Sequence, residues 1–145
     1  MIRPGSEYRI RYRAQNFNGW GEFSDVAYIL AATVPDRPMA PIYISSTSNS
    51  VTLVSVPPSN NGGSIITGYK LFYDSIQAIA NYRLIYSGSN ISATVTTADG
   101  LVTGMTYRFV LKVFNQFGDS DQSEEIRLAL GQLPLKPASP FKNEE

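Results

Sequence analysis

The stretch that decides the fold is residues 104–123, which read GMTYRFVLKVFNQFGDSDQS. Large apolar side chains occupy every second position from Tyr107 to Val113. This period of two is typical of a strand that has one face buried. The run NQFG at 115–118 is rich in turn-forming residues. An alternating strand followed by such a turn predicts an antiparallel hairpin.

The same pattern occurs near the start of the chain, where residues 5–24 read GSEYRIRYRAQNFNGWGEFS. At a constant offset of 99, Gly5, Tyr8, Arg9, Asn16, Gly19 and Ser24 return as Gly104, Tyr107, Arg108, Asn115, Gly118 and Ser123. The register continues through three prolines, since Pro35, Pro38 and Pro41 return as Pro134, Pro137 and Pro140. This period far exceeds the roughly 20–50 residues of solenoid units, so each repeat is expected to be a whole domain.

The repeat divides the chain into four predicted segments. Residues 1–34 are the C-terminal part of a preceding unit and contain its last two strands, 35–41 are a proline-rich linker, 38–137 are a complete domain, and 138–145 are a linker or tail. The prolines favour stiff, extended linkers. Because an isolated two-stranded hairpin is marginal in water, residues 1–31 are expected to pack on strands that residues 38–137 do not supply. Those strands come either from a longer parent chain or from another chain.

Alternation continues through the complete domain. Strands are predicted around Val51, Leu53 and Ser55, around Tyr69, Leu71 and Tyr73, around Tyr82, Leu84 and Tyr86, and from Tyr107 to Val113. Turn-forming residues separate them, and short strands at this spacing predict an all-β, antiparallel β-sandwich. Residues 74–81, which contain Ile76 and Ile79, break the alternation and are predicted to form a helical turn.

Taken together, these motifs resemble the fibronectin type III domain. In family order, the residues that carry the resemblance are Val51-Thr52-Leu53, Pro57-Pro58, Gly62-Gly63-Ser64, Ile66-Thr67-Gly68-Tyr69, then Leu101, Gly104 and Tyr107. Ile2, Gly5 and Tyr8 repeat the last three. The resemblance implies an immunoglobulin-like β-sandwich with strands A to G, in which the two hairpins are strands F and G. It also implies that Tyr8 and Tyr107 are structural tyrosine corners that tie the crossover from strand E to strand F.

One position departs from the family pattern. The family usually carries a core tryptophan on strand B, and the equivalent residue here is Ser55. An aromatic ring buries roughly 150–250 Å², so another group is expected to fill the space. The candidates are Tyr69, Tyr73, Phe109 and the segment that contains Ile76 and Ile79. The alternative is a repeat that is simply less stable.

The N-terminal hairpin carries a candidate interaction site. Arg9, Arg11 and Arg13 alternate along strand F and therefore project from one face, opposite Trp20 and Phe23. The run WGEFS loosely resembles the Trp-Ser-x-Trp-Ser box of cytokine-receptor type III domains, which implies a cation–π ladder of arginines and rings. In the second repeat, Val110, Lys112, Asp119 and Gln122 replace Arg11, Arg13, Trp20 and Phe23. The alternative is an unpaired, solvated basic stripe.

Asn90 begins the sequence Asn90-Ile91-Ser92, an N-glycosylation sequon that follows a turn. Glycosylation there requires secretion, and such triplets also arise by chance. Asn90 is therefore a candidate glycosylation site, and the alternative is that the triplet occurs by chance.

Composition argues against several classes of function. The chain has no Cys and no His, so neither a disulfide framework, a thiolate metal site nor a histidine-based triad is available. Twelve basic residues balance twelve acidic ones, so binding to nucleic acid is not expected. No run reaches the roughly 18 apolar residues of a membrane span, so direct membrane insertion is not expected either. No catalytic residue, cofactor site or metal site is predicted.

The sequence favours a non-catalytic structural or scaffolding segment of a tandem array, with other protein chains or neighbouring repeats as partners. Two alternatives are a receptor-like or adhesion ectodomain that binds a protein ligand through its loops, and an accessory module of a larger enzyme. The style of residues 57–69, PPSNNGGSIITGY, resembles intracellular, cytoskeletal or ciliary arrays more than cell-surface ones. The compartment remains undetermined at this point.

Overall fold

The computed structural model describes residues 1–76 and 79–131. Within them the chain forms short strands and one 3-10 turn, Thr97–Asp99. The strands are β1 (Glu7–Ile10), β2 (Gln15–Asn16), β3 (Gly19–Trp20), β4 (Ala27–Leu30), β5 (Ile42–Ser46), β6 (Ser50–Val54), β7 (Gly68–Ser75), β8 (Arg83–Gly88), β9 (Ser92–Thr96), β10 (Thr106–Asn115), β11 (Gly118–Asp119) and β12 (Ile126–Ala129). The predicted tail 138–145, the end of the predicted complete domain and the prolines Pro134, Pro137 and Pro140 lie outside the described residues.

Two antiparallel sheets form the body of the fold. One has the strand order β5-β6-β9, and the other has the order β11-β10-β7-β8 with β12 also paired to β10. Because alternate side chains point to opposite faces of a strand, Val51 and Leu53 on β6 and Phe109 on β10 all face the interior, with at most 2% exposure. The predicted all-β, antiparallel β-sandwich is confirmed, together with the N-terminal hairpin.

The core joins the two sheets. Its main cluster comprises Val51, Leu53, Leu71, Ala93, Val95, Leu101, Tyr107, Phe109 and Leu130. A smaller cluster contains Tyr69, Leu111 and Val113. Burying a large apolar side chain contributes about 1.5–3 kcal/mol, and every member of these two clusters lies at or after Val51. The sandwich therefore has a core of its own, without help from the N-terminal hairpin.

A bulge interrupts the pairing of β7 with β8. Leu71 lies opposite Tyr86 whereas Phe72 lies opposite Leu84, so Ile85 is an extra residue on β8. The bulge lets both Ile85 and Tyr86 pack against the main core cluster, while Leu84 is 53% exposed. The strand is present as predicted, but the bulge resets its alternation, so Leu84 does not share the inward face with Tyr86.

The segment predicted as a helical turn begins with the end of a strand. Asp74 and Ser75 complete β7, Ile76 lies in a turn, and no helix is assigned in the described part of residues 74–81. Gln77 and Ala78 lie outside the described residues. Asp74 is held by its strand neighbours because it pairs with Arg108 across the sheet. Cross-strand pairing therefore overrides the local break in alternation.

Ser55 is buried and its amide donates a hydrogen bond to the Ile91 carbonyl at 2.7 Å. Of the groups expected to compensate for the missing tryptophan, Tyr69 and Phe109 are buried. Ile79 is 96% exposed, so the expectation that the segment containing Ile79 folds over the core is wrong. A fully solvated side chain contributes no packing at Ser55.

Candidate functional site

Two hairpins carry the predicted site residues: the N-terminal hairpin, β1 to β4, and the C-terminal hairpin, β10 to β12. Their strand registers match at the offset of 99, with Tyr8 opposite Ile29 and Tyr107 opposite Leu128. Equivalent backbone hydrogen bonds also match: Gly5 N to Ala31 O (2.8 Å) with Gly104 N to Leu130 O (2.7 Å), and Ser24 N to Tyr12 O (2.8 Å) with Ser123 N to Leu111 O (2.9 Å). The two segments are therefore structurally equivalent.

The two tyrosines make the same contact. The amide of Arg3 donates to the Tyr8 hydroxyl at 2.7 Å, and the amide of Val102 donates to the Tyr107 hydroxyl at 2.8 Å. Each tyrosine thus accepts a hydrogen bond from the amide five residues earlier, in the turn that precedes its strand. This geometry gives both residues a structural role.

The equivalent hairpins differ in burial. Ile10 and Tyr12 are 48% and 76% exposed, whereas their equivalents Phe109 and Leu111 are fully buried. In the C-terminal hairpin, β10 pairs with β7 on its second edge. Among the described residues, β1 pairs only with β4. The N-terminal hairpin therefore presents an open apolar face.

The opposite face of the N-terminal hairpin carries the arginines. The Arg11 guanidinium lies 4.1 Å from the centroid of the Phe23 ring. The Arg13 guanidinium lies between two rings, 4.4 Å from Trp20 and 4.7 Å from Phe23. Each such contact is worth about 0.5–1 kcal/mol at an exposed site. The structure thus brings four of the five predicted residues together, but it leaves Arg9 outside this stack.

Irregular pairing explains how Trp20 and Phe23 share a face although they are three residues apart. The Gly21 amide donates to Ala14, and the Ser24 amide donates to Tyr12. Two residues of one strand therefore correspond to three of the other, which is a bulge. Ser24 fixes it, because its Oγ accepts from the Tyr12 amide at 3.1 Å and donates to the Asp25 carbonyl at 2.9 Å.

Sequence reasoning did not predict this bulge. A signal was present in the recurrence of Ser24 as Ser123. The Ser123 hydroxyl likewise accepts from the Leu111 amide at 2.8 Å and donates to the Glu124 carbonyl at 2.7 Å. The bulge is thus common to both hairpins, whereas the rings and arginines occur only in the first.

A charged cluster on the complete domain was also missed. Arg108, the equivalent of Arg9, forms a largely buried ion pair with Asp74 and lies 5.8 Å from the centroid of Tyr82. The Tyr82 hydroxyl donates to Glu125 at 3.0 Å. These groups come from separate strands and a loop, so only the recurring Tyr-Arg pair pointed to them. Val110, which replaces Arg11, is 2% exposed at the edge of this cluster.

The cluster shifts two pKa values in opposite directions. Burial raises the pKa of Tyr82, and its hydrogen bond to Glu125 raises the pKa further. The pKa of Glu125 is lowered, first by the hydrogen bond from Arg127 and then by the one from Tyr82. Both shifts favour the neutral phenol beside the charged carboxylate.

Two acidic side chains in and after the turn of the C-terminal hairpin form ion pairs. Lys70 contacts Asp119 at 2.7 Å, and Arg37 contacts Glu124 at 2.6 Å. Within residues 1–76 and 79–131, no group of three or more acidic, His or Cys side chains is arranged to hold a metal ion. Nor does that part of the chain contain a helix long and apolar enough to cross a membrane.

Asn90 lies in the turn between β8 and β9 and is exposed. The Tyr86 hydroxyl donates to the Asn90 carbonyl at 3.2 Å, so the backbone of the turn is held while the side chain faces solvent. The geometry leaves room for a modification at this position.

Known proteins similar to this chain contain the same architecture. Residues 36–128 match the fibronectin type III domain family. The chain is 31% identical over 141 residues to mouse fibronectin type-III domain-containing protein 3A, and the alignment covers 96% of the chain and 11% of that protein. It is 32% identical over 140 residues to human Myomesin-2, and the alignment covers 92% of the chain and 9% of that protein. The chain therefore spans about a tenth of the length of these curated relatives.

Among solved structures, domains A168–A170 of titin align with a TM-score of 0.65 at 25% identity, over 74% of this chain and 37% of that one. The matched family is a protein-interaction module. The antiparallel β-sandwich described above has the architecture of this family. This chain belongs to the fibronectin type III family.

Proposed function

We propose that the chain is a non-catalytic structural or scaffolding segment of a tandem fibronectin type III protein and mediates contacts between proteins. In this proposal residues 1–34 are strands F and G of one unit, 35–41 are the linker, and 38–137 are the next unit. The observation that carries the proposal is the equivalence of the two hairpins in register and hydrogen bonding.

The difference in burial identifies what the N-terminal hairpin lacks. Phe109 and Leu111 are buried because the sandwich supplies β7 and a facing sheet, and Ile10 and Tyr12 have no such cover. Leaving an apolar side chain of this size in water forgoes about 1.5–3 kcal/mol. Strands A to E of the first unit, from the parent protein, are the occupants that this face requires.

The proposal is tested by extending the chain upstream. In the extended chain a copy of residues 36–99 precedes Met1, since residue 100 is the equivalent of residue 1. We expect amide hydrogen exchange at Ile10 and Tyr12 to slow toward that of Phe109 and Leu111, and binding of a dye for exposed apolar surface to fall. The same extension with Ile10→Asp is the control. Unchanged exchange at Ile10 in the extended chain would contradict the tandem assignment.

An intracellular structural array is the favoured setting, and the similarity to Myomesin-2 and to titin domains supports it over an enzymatic role. A receptor-like or adhesion ectodomain is the second candidate, because the arginine–aromatic stack and Asn90 are both exposed. The state of Asn90 in the parent protein, isolated from the cells that make it, distinguishes them. A glycan mass that is lost in Asn90→Gln favours the ectodomain, and an unmodified Asn90 favours the intracellular array.

The third candidate, an accessory module of a larger enzyme, places the chemistry in another part of the parent. It predicts a catalytic domain in the parent sequence and an altered rate when this segment is deleted. The scaffolding proposal predicts loss of a protein contact from the same deletion.

A further inference from the structure

Two consecutive glycines of the complete domain lie against the preceding hairpin. Gly62 and Gly63 have φ of +72° and +81°, which L side chains rarely adopt. Their amides donate to the side-chain oxygens of Asn60 and Asn61 at 3.0 and 2.9 Å. The two asparagines therefore fix the loop in the conformation that presents both glycine backbones outward.

The glycine backbones approach more closely than any side chain allows. The Thr33 amide donates to the Gly62 carbonyl at 2.8 Å. A Cβ added to Gly62 would overlap the carbonyl oxygens of Thr33 and Val34, and one added to Gly63 would overlap the Gly5 amide and lie 2.9 Å from the Pro4 carbonyl carbon. Backbone thus packs on backbone between the two units.

Asn115 completes this contact from the F–G turn. Its side-chain amide donates to the Thr33 carbonyl at 2.8 Å and to the Asn61 carbonyl at 3.0 Å, and the residue is only 4% exposed. We call the contact of Gly5, residues 33–34, the glycine pair 62–63 and Asn115 the joint. The joint is hydrogen-bonded, and its two central members, Gly62 and Asn115, are buried.

The other end of the complete domain carries an equivalent surface at Gly104 and Gly131, and no other residue among 1–76 and 79–131 covers it. Gly104 is the equivalent of Gly5 and has a similar φ, +83° against +77°. A Cβ at Gly104 would meet no atom within 4 Å, and the same holds for Gly131, the equivalent of Ala32. The surface that a glycine pair covers at Gly5 is therefore open at Gly104.

We propose that the surface around Gly104 and Gly131 is a socket for the glycine pair of a further fibronectin type III unit that follows in the same chain. The proposal rests on the proposed tandem function. The recognition element of the following unit is its equivalent of the loop between β6 and β7, in which asparagines hold two adjacent glycines. The sequence after Gly131 repeats the proline spacing of residues 35–41, which supplies a linker of the same length. A second copy of this chain is a poorer occupant, because its own glycine pair is engaged by its own residues 4–5 and 33–34.

The experiment uses an extended chain in which Pro134, the equivalent of Pro35, is followed by a second copy of residues 36–145. Amide chemical shifts of Gly104 and Gly131 in the first copy are compared with those of the original chain. We expect both to shift, and residual dipolar couplings to report that the two complete domains share one alignment tensor. Gly63→Ala in the second copy alone should abolish these changes, whereas Gly63→Ala in the first copy alone should leave them intact.

The dispersed amide signals of β6 and β9 verify that each variant is folded. Unchanged shifts at Gly104 in the extended chain would overturn the socket, as would equal shifts in an unlinked mixture of two chains, which would indicate association between copies. Because the test of the proposed function reads Ile10 and Tyr12 instead, failure at Gly104 leaves the tandem assignment standing.

Discussion

The side-chain amide of Asn115 donates a hydrogen bond to the carbonyl of Thr33 at 2.8 Å, across 82 residues of sequence. A second hydrogen bond, to the Asn61 carbonyl, connects the same side chain to the loop between β6 and β7. One amide group thus connects the turn of the C-terminal hairpin, the end of the segment 1–34 and the loop between β6 and β7. Asn16, the equivalent in the N-terminal hairpin, is exposed and bonds only locally to the Asn18 amide.

We therefore expect Asn115→Ala to lower the free energy of unfolding by about 2 kcal/mol, because the buried Asn115 side chain makes two part-buried hydrogen bonds that the variant loses. Asn16→Ala is the matched control and should change stability by less than about 0.5 kcal/mol. Urea denaturation followed by circular dichroism measures both. Equal effects at the two sites would contradict the special role of Asn115.

Tyr107→Phe should destabilise the complete domain by about 1 kcal/mol. The substitution removes the acceptor for the Val102 amide while keeping the buried ring. Tyr8→Phe removes the equivalent bond from a hairpin whose apolar face is open, so the main unfolding transition should not move. A thermal melt of each variant tests this, and a shift of that transition for Tyr8→Phe would count against the independence of the two units.

Arg13→Ala should loosen Trp20, the only tryptophan in the chain. The Arg13 guanidinium covers this ring at 4.4 Å, so its removal should increase quenching of the tryptophan fluorescence by acrylamide. Arg13→Lys keeps the charge but not the planar stacking group, and should give an intermediate value. Arg9→Ala lies outside the stack and serves as the control. Equal quenching in all four proteins would rule out the ladder.

Gly68→Ala should destabilise the sandwich by about 1–3 kcal/mol. An added Cβ would lie 2.5 Å from the Phe114 ring and 2.8 Å from the Gly88 carbonyl oxygen, and the Gly88 backbone is fixed by β-sheet pairing. Gly131→Ala meets open space and should be neutral to slightly stabilising. Chemical denaturation of the two variants provides the comparison, and a neutral Gly68→Ala would show that Phe114 moves freely.

The contact between Tyr82 and Glu125 predicts a pH dependence at both extremes. Since the folded pKa of Glu125 is lowered, its contribution to stability is present above the ordinary glutamate value of about 4.3 and is lost as pH falls through the lowered value. Since the folded pKa of Tyr82 is raised, its contribution is present below about pH 10 and is lost as pH rises through the raised value.

Accordingly, Glu125→Gln should flatten the acid limb of the stability profile, and Tyr82→Phe should flatten the alkaline limb. Stability at each pH is measured from urea midpoints. An acid limb in Glu125→Gln as steep as that of the original chain would exclude this carboxylate as its source.

The sequence was most informative where structure depends on local periodicity. The alternation from Tyr107 to Val113 predicted the central strand, and the offset of 99 predicted that two hairpins would share one register. The bulge at Ile85 was out of reach because a bulge depends on which residues face each other across two strands. The same holds for the position of Leu84.

The candidate site was predictable in part for a similar reason. Arg11, Arg13, Trp20 and Phe23 lie on adjacent strands of one hairpin, so their neighbourhood follows from a single turn. Arg9 lies in the regularly paired part of the hairpin, opposite Tyr28, and so it is away from the bulge that brings Trp20 and Phe23 beside Arg11 and Arg13. The pairing of Arg108 with Asp74 joins strands 34 residues apart, and no local pattern encodes such a distance.

The bulge held by Ser24, and by Ser123 in the other hairpin, has a consequence for how such arrays diversify. The serine hydroxyl and the main chain determine the shape of the hairpin at the bulge. The outward side chains can therefore change in sequence without disturbing that shape. The N-terminal hairpin carries arginines and aromatic rings beside this bulge, whereas the C-terminal hairpin carries Val110, Lys112, Asp119 and Gln122 at the equivalent positions. A tandem array built from this hairpin can therefore present a different surface on each unit while the hairpin backbone stays the same.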